Sequence, residues 1–233
     1  MNHYLATSGV ALALAASGAG APQVISPSLE PRAWTGWRHD GSRDAAVEGP
    51  VGQTACGQHL CVVLPSDPDT LYPPHAASLD YLQTRPTFDL RGKRTITARF
   101  KITMDGSPRL NFAFEPTNSC RTPPASVRLI LAVPSRGWMS GHKTLPYTRW
   151  WNTSAVAITP GTFTLAARVA DPEAWSSVYG ERASSSGAAT AGFEAALARA
   201  RIGFSFGGGC FYGHGVGVTG GGAAFELVHV DVE

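Results

Sequence analysis

The chain has 233 residues, a formal net charge of +2, 43% hydrophobic residues and only 15% charged ones. Such a low charge, with 26 Gly and 17 Pro, excludes a fold built on long charged helices and points to a strand-rich domain with many turns. No Lys/Arg run occurs, so neither nucleic acid nor an anionic membrane is an expected partner.

In chain order, the first segment reads as a targeting signal. Val10-Ala11-Leu12-Ala13-Leu14-Ala15-Ala16 is a short apolar stretch followed by small residues through Ala21, too short to span a bilayer. Residues 1–21 are therefore expected to be a signal peptide. Residues 22–233 are expected to form a single β-sandwich domain, secreted or periplasmic, with an irregular N-terminal region to about residue 87. Cleavage after Ala19 or Ala21 would leave small residues at the site, although no Lys or Arg precedes the apolar stretch.

Four cysteines fit an exported chain: Cys56, Cys61, Cys120 and Cys210. An even count suggests two disulfides out of three possible connectivities. Cys56 and Cys61 are close enough to close a small loop, which leaves Cys120 for Cys210, a long loop whose closure is worth roughly 4–5 kcal/mol. Zinc is disfavoured because Cys120 and Cys210 stand without paired spacing.

Residues 22–55, with Trp34 and Trp37, read as one irregular strand leading into the domain, and His59–Leu64 as a compact strand. Residues 65–87 read as a long loop, because Pro65, Pro68, Pro73, Pro74 and Pro86 would interrupt a central ladder. From Arg94 to Met104, Ile96, Ala98, Phe100, Ile102 and Met104 alternate with polar residues, the period of a strand with one buried face. Asp105-Gly106-Ser107 then reads as the turn of a hairpin, with Leu110, Phe112 and Phe114 on the return strand.

Val127–Val133 is a nearly continuous apolar strand, and 148–152, 155–159 and 163–169 give further short ones. Asp171-Pro172-Glu173 is a helix start. Phe193, Ala196, Leu197 and Ala200 define a helical stripe, with 183–191 between the two pieces read as a flexible loop. The chain closes in strands over 202–206, 211–219 and 223–232. In the last, the apolar phase slips from Phe225 and Leu227 to Val228, Val230 and Val232, which a β-bulge explains. The fold class that results is all-β, a two-sheet antiparallel β-sandwich (jelly roll) with one or two short helices.

Chemistry concentrates in two places. Gly137–His142 leads through Tyr147-Thr148-Arg149 into Trp150-Trp151, and in a strand those tryptophans point to opposite faces. At least one ring is then available to lie against sugar C–H groups, with Arg149, His142 and Asn152 for hydroxyls. The second place is Phe204–Gly215, where the triple glycine lacks the Lys-Ser/Thr of a phosphate loop and instead permits a tight connection beside Cys210. His214 there is a further candidate contact. The histidines His59, His142, His214 and His229 show no metal spacing, although scattered Asp residues and carbonyls leave a structural calcium open. Asn152-Thr153-Ser154 is a glycosylation sequon.

From Asp171-Pro172-Glu173-Ala174-Trp175 to Ile202-Gly203-Phe204-Ser205-Phe206-Gly207-Gly208-Gly209 and the phase-shifted last strand, the chain resembles galactose-binding-like jelly rolls of the carbohydrate-binding-module type. The resemblance implies a two-sheet jelly roll with an aromatic ligand platform and often a structural calcium. The function expected first is secreted glycan binding, with Trp138, His142, Tyr147, Arg149, Trp150, Trp151 and His214 as the contact set, and with two or more exposed aromatic rings along one groove. The second is a polysaccharide lyase or hydrolase on the same fold, for which Tyr147, His142 and Arg149 are the lyase candidates. The third is a structural envelope protein without a small ligand.

Overall fold

The computed structural model describes residues 23–40, 47–49, 51–66, 77–112, 124–134, 147–208 and 215–233. Its strands run β1 (Trp34–Asp40), β2 (Val47–Gly49), β3 (Gln53–Cys56), β4 (His59–Val63), β5 (Ala77–Thr84) and β6 (Thr95–Phe112). They continue as β7 (Ala125–Ala132), β8 (Arg149–Asn152), β9 (Val156–Ala157), β10 (Gly161–Arg168), β11 (Trp175–Ser177), β12 (Arg201–Gly208) and β13 (Val216–Val232). One α-helix, α1 (Gly187–Leu197), stands among them.

Every strand pair is antiparallel, and the ladders form two layers. The first runs β10-β6-β13-β4-β3 and the second β2-β1-β5-β12-β7-β8-β11, with β9 also on β7. The far ends of β6 and β13 join them, where Val216 faces Phe112 on one side and Leu79 on the other. The layers meet through aromatic rings. Phe204 of β12 lies 6.2 Å from Phe100 of β6 and 5.2 Å from Phe225 of β13, and Phe206 lies 5.4 Å from Phe225. Each such side chain, fully buried, contributes about 1.5–3 kcal/mol against leaving it in water.

The alternation through Ile96–Ile102 does form a strand with one buried face, but the hairpin expected at 105–107 is absent. β6 continues through Gly106 to Phe112 and pairs with β13 along nearly its whole length. Gly106, at φ +69°, pairs with Gly221 beside a register shift that leaves Gly220, at φ +73°, as the extra residue. Two glycines in the left-handed region bend both strands together, so the turn signal marks a corner. The same pairing also joins the two expected C-terminal strands into one β13. Its second register shift falls between Leu227 and His229, which is the bulge that the phase slip at Val228 requires.

The loop expected over 65–87 is the larger correction. β5 occupies 77–84 and is central in its layer, with β1 on one edge and β12 on the other. None of the prolines falls inside it, so its ladder keeps every donor. The flexible tract expected at 183–191 also contains structure. Ser186 caps α1 by accepting from the Ala189 amide at 3.1 Å, and Ala183 and Ala189 are buried. Asp171 caps only a short 3-10 turn, Pro172–Ala174, by accepting from the Glu173 amide. The apolar stripe of α1 packs Phe193 edge-on against Trp150 at 5.2 Å and near Trp175 at 6.0 Å.

Cys56 and Cys61 form a disulfide that staples the β3–β4 hairpin. Cys120 and Cys210 lie outside the described residues, as do residues 1–21. Among the described residues no helix is long and apolar enough to cross a membrane.

Candidate functional site

The outer face of the second layer carries polar and aromatic side chains where a solvated sheet face would carry charges. The reason begins in β12. Ile202, Phe204 and Phe206 point inward to the core, so Gly203, Ser205 and Gly207 point outward. The middle strand of the layer thus presents no bulky group and forms the floor of a trough. Gly203 could carry nothing larger, because a Cβ there would stand 2.5 Å from the Leu82 carbonyl oxygen and 2.7 Å from Gln83 Cγ.

Register places the walls. On one side β5 sets Tyr81 opposite Ser205 and Gln83 opposite Gly203, and β1 sets Trp37 opposite Tyr81 and Thr35 opposite Gln83. On the other side β7 sets Arg128 opposite Ser205 and Ile130 opposite Gly203, and β8 sets Trp151 opposite Ile130. Across the small residues Gly203 and Ser205 of β12 and across Ile130 of β7, Tyr81 and Trp151 lean together until their ring centroids are 6.4 Å apart. Trp151 Nε1 donates to Ser205 Oγ at 3.0 Å. Trp37, Tyr81, Ile130 and Trp151 form a second apolar cluster separate from the main core, with Val178 against it.

Arg149 is fixed over this cluster. Its guanidinium carbon lies 5.6 Å from the Trp151 ring centroid, a cation–π geometry, and it donates to the Tyr81 hydroxyl oxygen. Burial pushes the Tyr81 phenol far above its ordinary range, with Arg149 pulling it back in part. The face is enclosed: Trp37 is 8% exposed, Trp151 5%, Tyr81 3% and Gln83 0%. Gln83 is the exceptional group. Among the described residues neither its Oε1 nor its Nε2 has a hydrogen-bond partner, and an unpaired amide in such a place costs about 1–3 kcal/mol.

The expected contact set divides. Trp150 and Trp151 do point to opposite faces, but neither is an exposed ring. Trp150 is fully buried in the main core, stacked on Tyr147 at 5.8 Å, with its Nε1 bonded to the Tyr147 carbonyl at 2.9 Å. Tyr147 sits on that inner, helix-covered side, with its hydroxyl donating to Glu181 Oε2 at 2.8 Å. Arg149 and Trp151 belong to the outer face. Tyr147 and Arg149 are therefore not brought together, and the tyrosine beside Arg149 is Tyr81. Trp138, His142 and His214 lie outside the described residues.

Asn152 is nearly fully buried. Its Nδ2 is bonded to the Ala174 carbonyl at 3.0 Å, so the sequon's acceptor nitrogen is tied into the fold. Among the described residues no group of three or more His, Cys, Asp and Glu side chains converges on a metal position.

Trp37, Tyr81 and Gln83 are the site residues that the sequence reading missed. The available signal was in β12, where Gly203, Ser205 and Gly207 alternate with Ile202, Phe204 and Phe206 and announce a strand with an empty outer face.

Fold and face together define the class: an antiparallel two-sheet β-sandwich with an enclosed aromatic and amide-bearing outer face. No family model matches the chain, and no curated protein matches it in sequence. Among solved structures the chain is similar to one described as "CBM4 structure and function", at 14% identity over 91% of this chain and 96% of that one, with a TM-score of 0.33. It is also similar to the VP1 pentamer of Human Polyomavirus 6, at 9% identity over 90% and 94% of the two chains, with a TM-score of 0.21. At these TM-scores neither likeness carries an argument about the fold or the ligand.

Proposed function

We propose that this is a secreted glycan-binding protein whose ligand sits in the trough over β12, between Tyr81 and Gln83 on one wall and Ile130 and Trp151 on the other. Rings of Trp37, Tyr81 and Trp151 match the apolar faces of a pyranose, and Gln83, Thr35 and Ser205 match its hydroxyls. The observation that carries the reading is Gln83, a fully buried amide with both polar atoms unpaired. A group that costs stability unbound and offers both a donor and an acceptor is accounted for by a ligand that pairs with it. The disulfide at Cys56–Cys61 supports an oxidising compartment. Because the face is enclosed, a sugar enters by local opening of it.

The test is isothermal titration of a panel of soluble glycans into the native protein and into Gln83→Met, which keeps the side-chain volume. Saturable binding by the native protein, abolished in Gln83→Met while thermal stability holds or rises, is the expected result. Equal binding by both proteins, or a clear loss of stability in the variant, would remove Gln83 from the site.

A further inference from the structure

The same face holds a second arrangement, one strand position along. Ala132 of β7 pairs with Arg149 on one side and with Arg201 on the other. Arg201 and Arg149 alternate outward with Ile202 and Trp150, both of which face the main core. Two outward arginines thus flank a single methyl group, on strands about 10 Å apart. Like charges so placed on one sheet face repel, and the register residue between them is Ala132.

The two differ in how they are held. Arg149 is pinned by Trp151 and the Tyr81 hydroxyl. Arg201 is half-buried, its Nε is enclosed without a hydrogen-bond partner, and among the described residues no carboxylate forms an ion pair with it. Two residues further along β12 from Arg201 is Gly203, and over Gly203 lies the unpaired amide of Gln83. The small residues Ala132 and Gly203 therefore form a shallow floor bounded by two guanidinium groups and one amide. Arg128, on the next row, is already engaged by the Asn152 and Thr153 carbonyls. Asp80, elsewhere on β5, accepts from Ser78 Oγ at 3.0 Å.

We propose that the glycan bound here is anionic, and that its charged substituent, a uronate carboxylate or a sulfate ester, seats between Arg149 and Arg201 with Gln83 beside it. This rests on the glycan reading above. Planar, multi-donor recognition of an oxyanion is what paired guanidinium groups do best. An oxyanion between the two arginines removes their repulsion and satisfies the buried Arg201 Nε. The neighbouring aromatic rings would then take the sugar ring that carries the charge.

The experiment is titration of the whole protein with three oligosaccharides of equal length: a uronate-containing one, a sulfated one and a neutral one. Each is measured at low and high salt, on the native protein, on Arg201→Gln and on Lys101→Gln, an exposed change on the first layer. The native protein is expected to bind an acidic oligosaccharide at least about tenfold more tightly than the neutral one, with the advantage shrinking at high salt. Arg201→Gln is expected to lose most of that advantage and Lys101→Gln none of it. Preference for the uronate assigns a carboxylate, and preference for the sulfated sugar assigns a sulfate ester. Equal affinity for neutral and acidic sugars, or an Arg201→Gln protein that binds as the native one does, overturns the anionic assignment and leaves the glycan reading standing. Failure to bind any oligosaccharide overturns both.

Discussion

The Tyr81 hydroxyl accepts a hydrogen bond from Arg149 although their strands, β5 and β8, are separated by both β12 and β7. The contact spans the layer across the small residues of β12, Gly203 and Ser205, and across β7, which lies between β12 and β8. Burial holds Tyr81 as a neutral phenol well above its ordinary range, against the partial opposing pull of Arg149. The sign follows from linkage. A group whose folded pKa is raised contributes stability that is intact below about pH 10, the ordinary tyrosine value, and is lost as pH rises, because the unfolded chain releases the proton first. Tyr81→Phe lacks that term. Urea melts of both proteins between about pH 8 and pH 11 are expected to show stability falling less steeply with pH in the variant; parallel curves would contradict the assignment.

The adjacent tryptophans are expected to behave as members of different systems. Trp150→Ala opens a cavity beneath α1 and costs about 3–5 kcal/mol, read from denaturant melts. Trp151→Phe keeps a ring on the outer face and costs at most about 1.5 kcal/mol, yet it loses the bond to Ser205 and with it glycan affinity. A Trp151→Phe protein that binds as the native one does would place the ligand elsewhere.

That division also marks how far the sequence could be read. Ile96, Ala98, Phe100 and Ile102 alternate on a half-buried strand, and the slip at Val228 is a bulge; both follow from a period of two that water on one face enforces. Opposite faces for Trp150 and Trp151 follow from the same period. Which face would hold Tyr147 did not follow, because the chain leaves the ladder before Arg149 and Tyr147 packs under α1. β5 was illegible for a different reason. Ser78, Asp80, Gln83 and Thr84 are all buried polar residues, so the strand lacks the apolar signature of a central position, and the prolines around it suggest a loop. Its polarity is what equips it for the site.

At the corner, Gly106 has a positive φ, and a Cβ there would stand in van der Waals contact with Gly220 O and Gly221 Cα at 3.4 Å. Gly106→Ala therefore carries conformational strain with little steric clash, and is expected to cost about 1–2 kcal/mol. Thermal melts compare it with Thr103→Ala, an exposed change in the same strand whose effect is expected to stay within about 0.5 kcal/mol. Equal effects would mean that β6 does not bend at Gly106.

The Cys56–Cys61 disulfide closes a loop with a sequence separation of 5, so its chain-entropy contribution is small, about 2 kcal/mol. A Cys56→Ser, Cys61→Ser double variant is expected to remain folded and to lose amide protection chiefly in β3 and β4, which hydrogen exchange resolves by residue. Loss of protection throughout β6 and β13 would show that the staple governs the whole sandwich.

The central claim is that the unpaired Gln83 amide belongs to the ligand. Its side-chain N–H pair can be observed directly in a nitrogen–proton correlation spectrum of labelled protein, assigned by its disappearance in Gln83→Met. On saturation with the tightest-binding glycan of the panel, the Gln83 amide signals are expected to move strongly, together with the indole signals of Trp37 and Trp151, while those of Trp34 and Trp175 stay in place. A glycan that saturates the protein and leaves the Gln83 amide unmoved would contradict the account and send the binding site to another part of the chain.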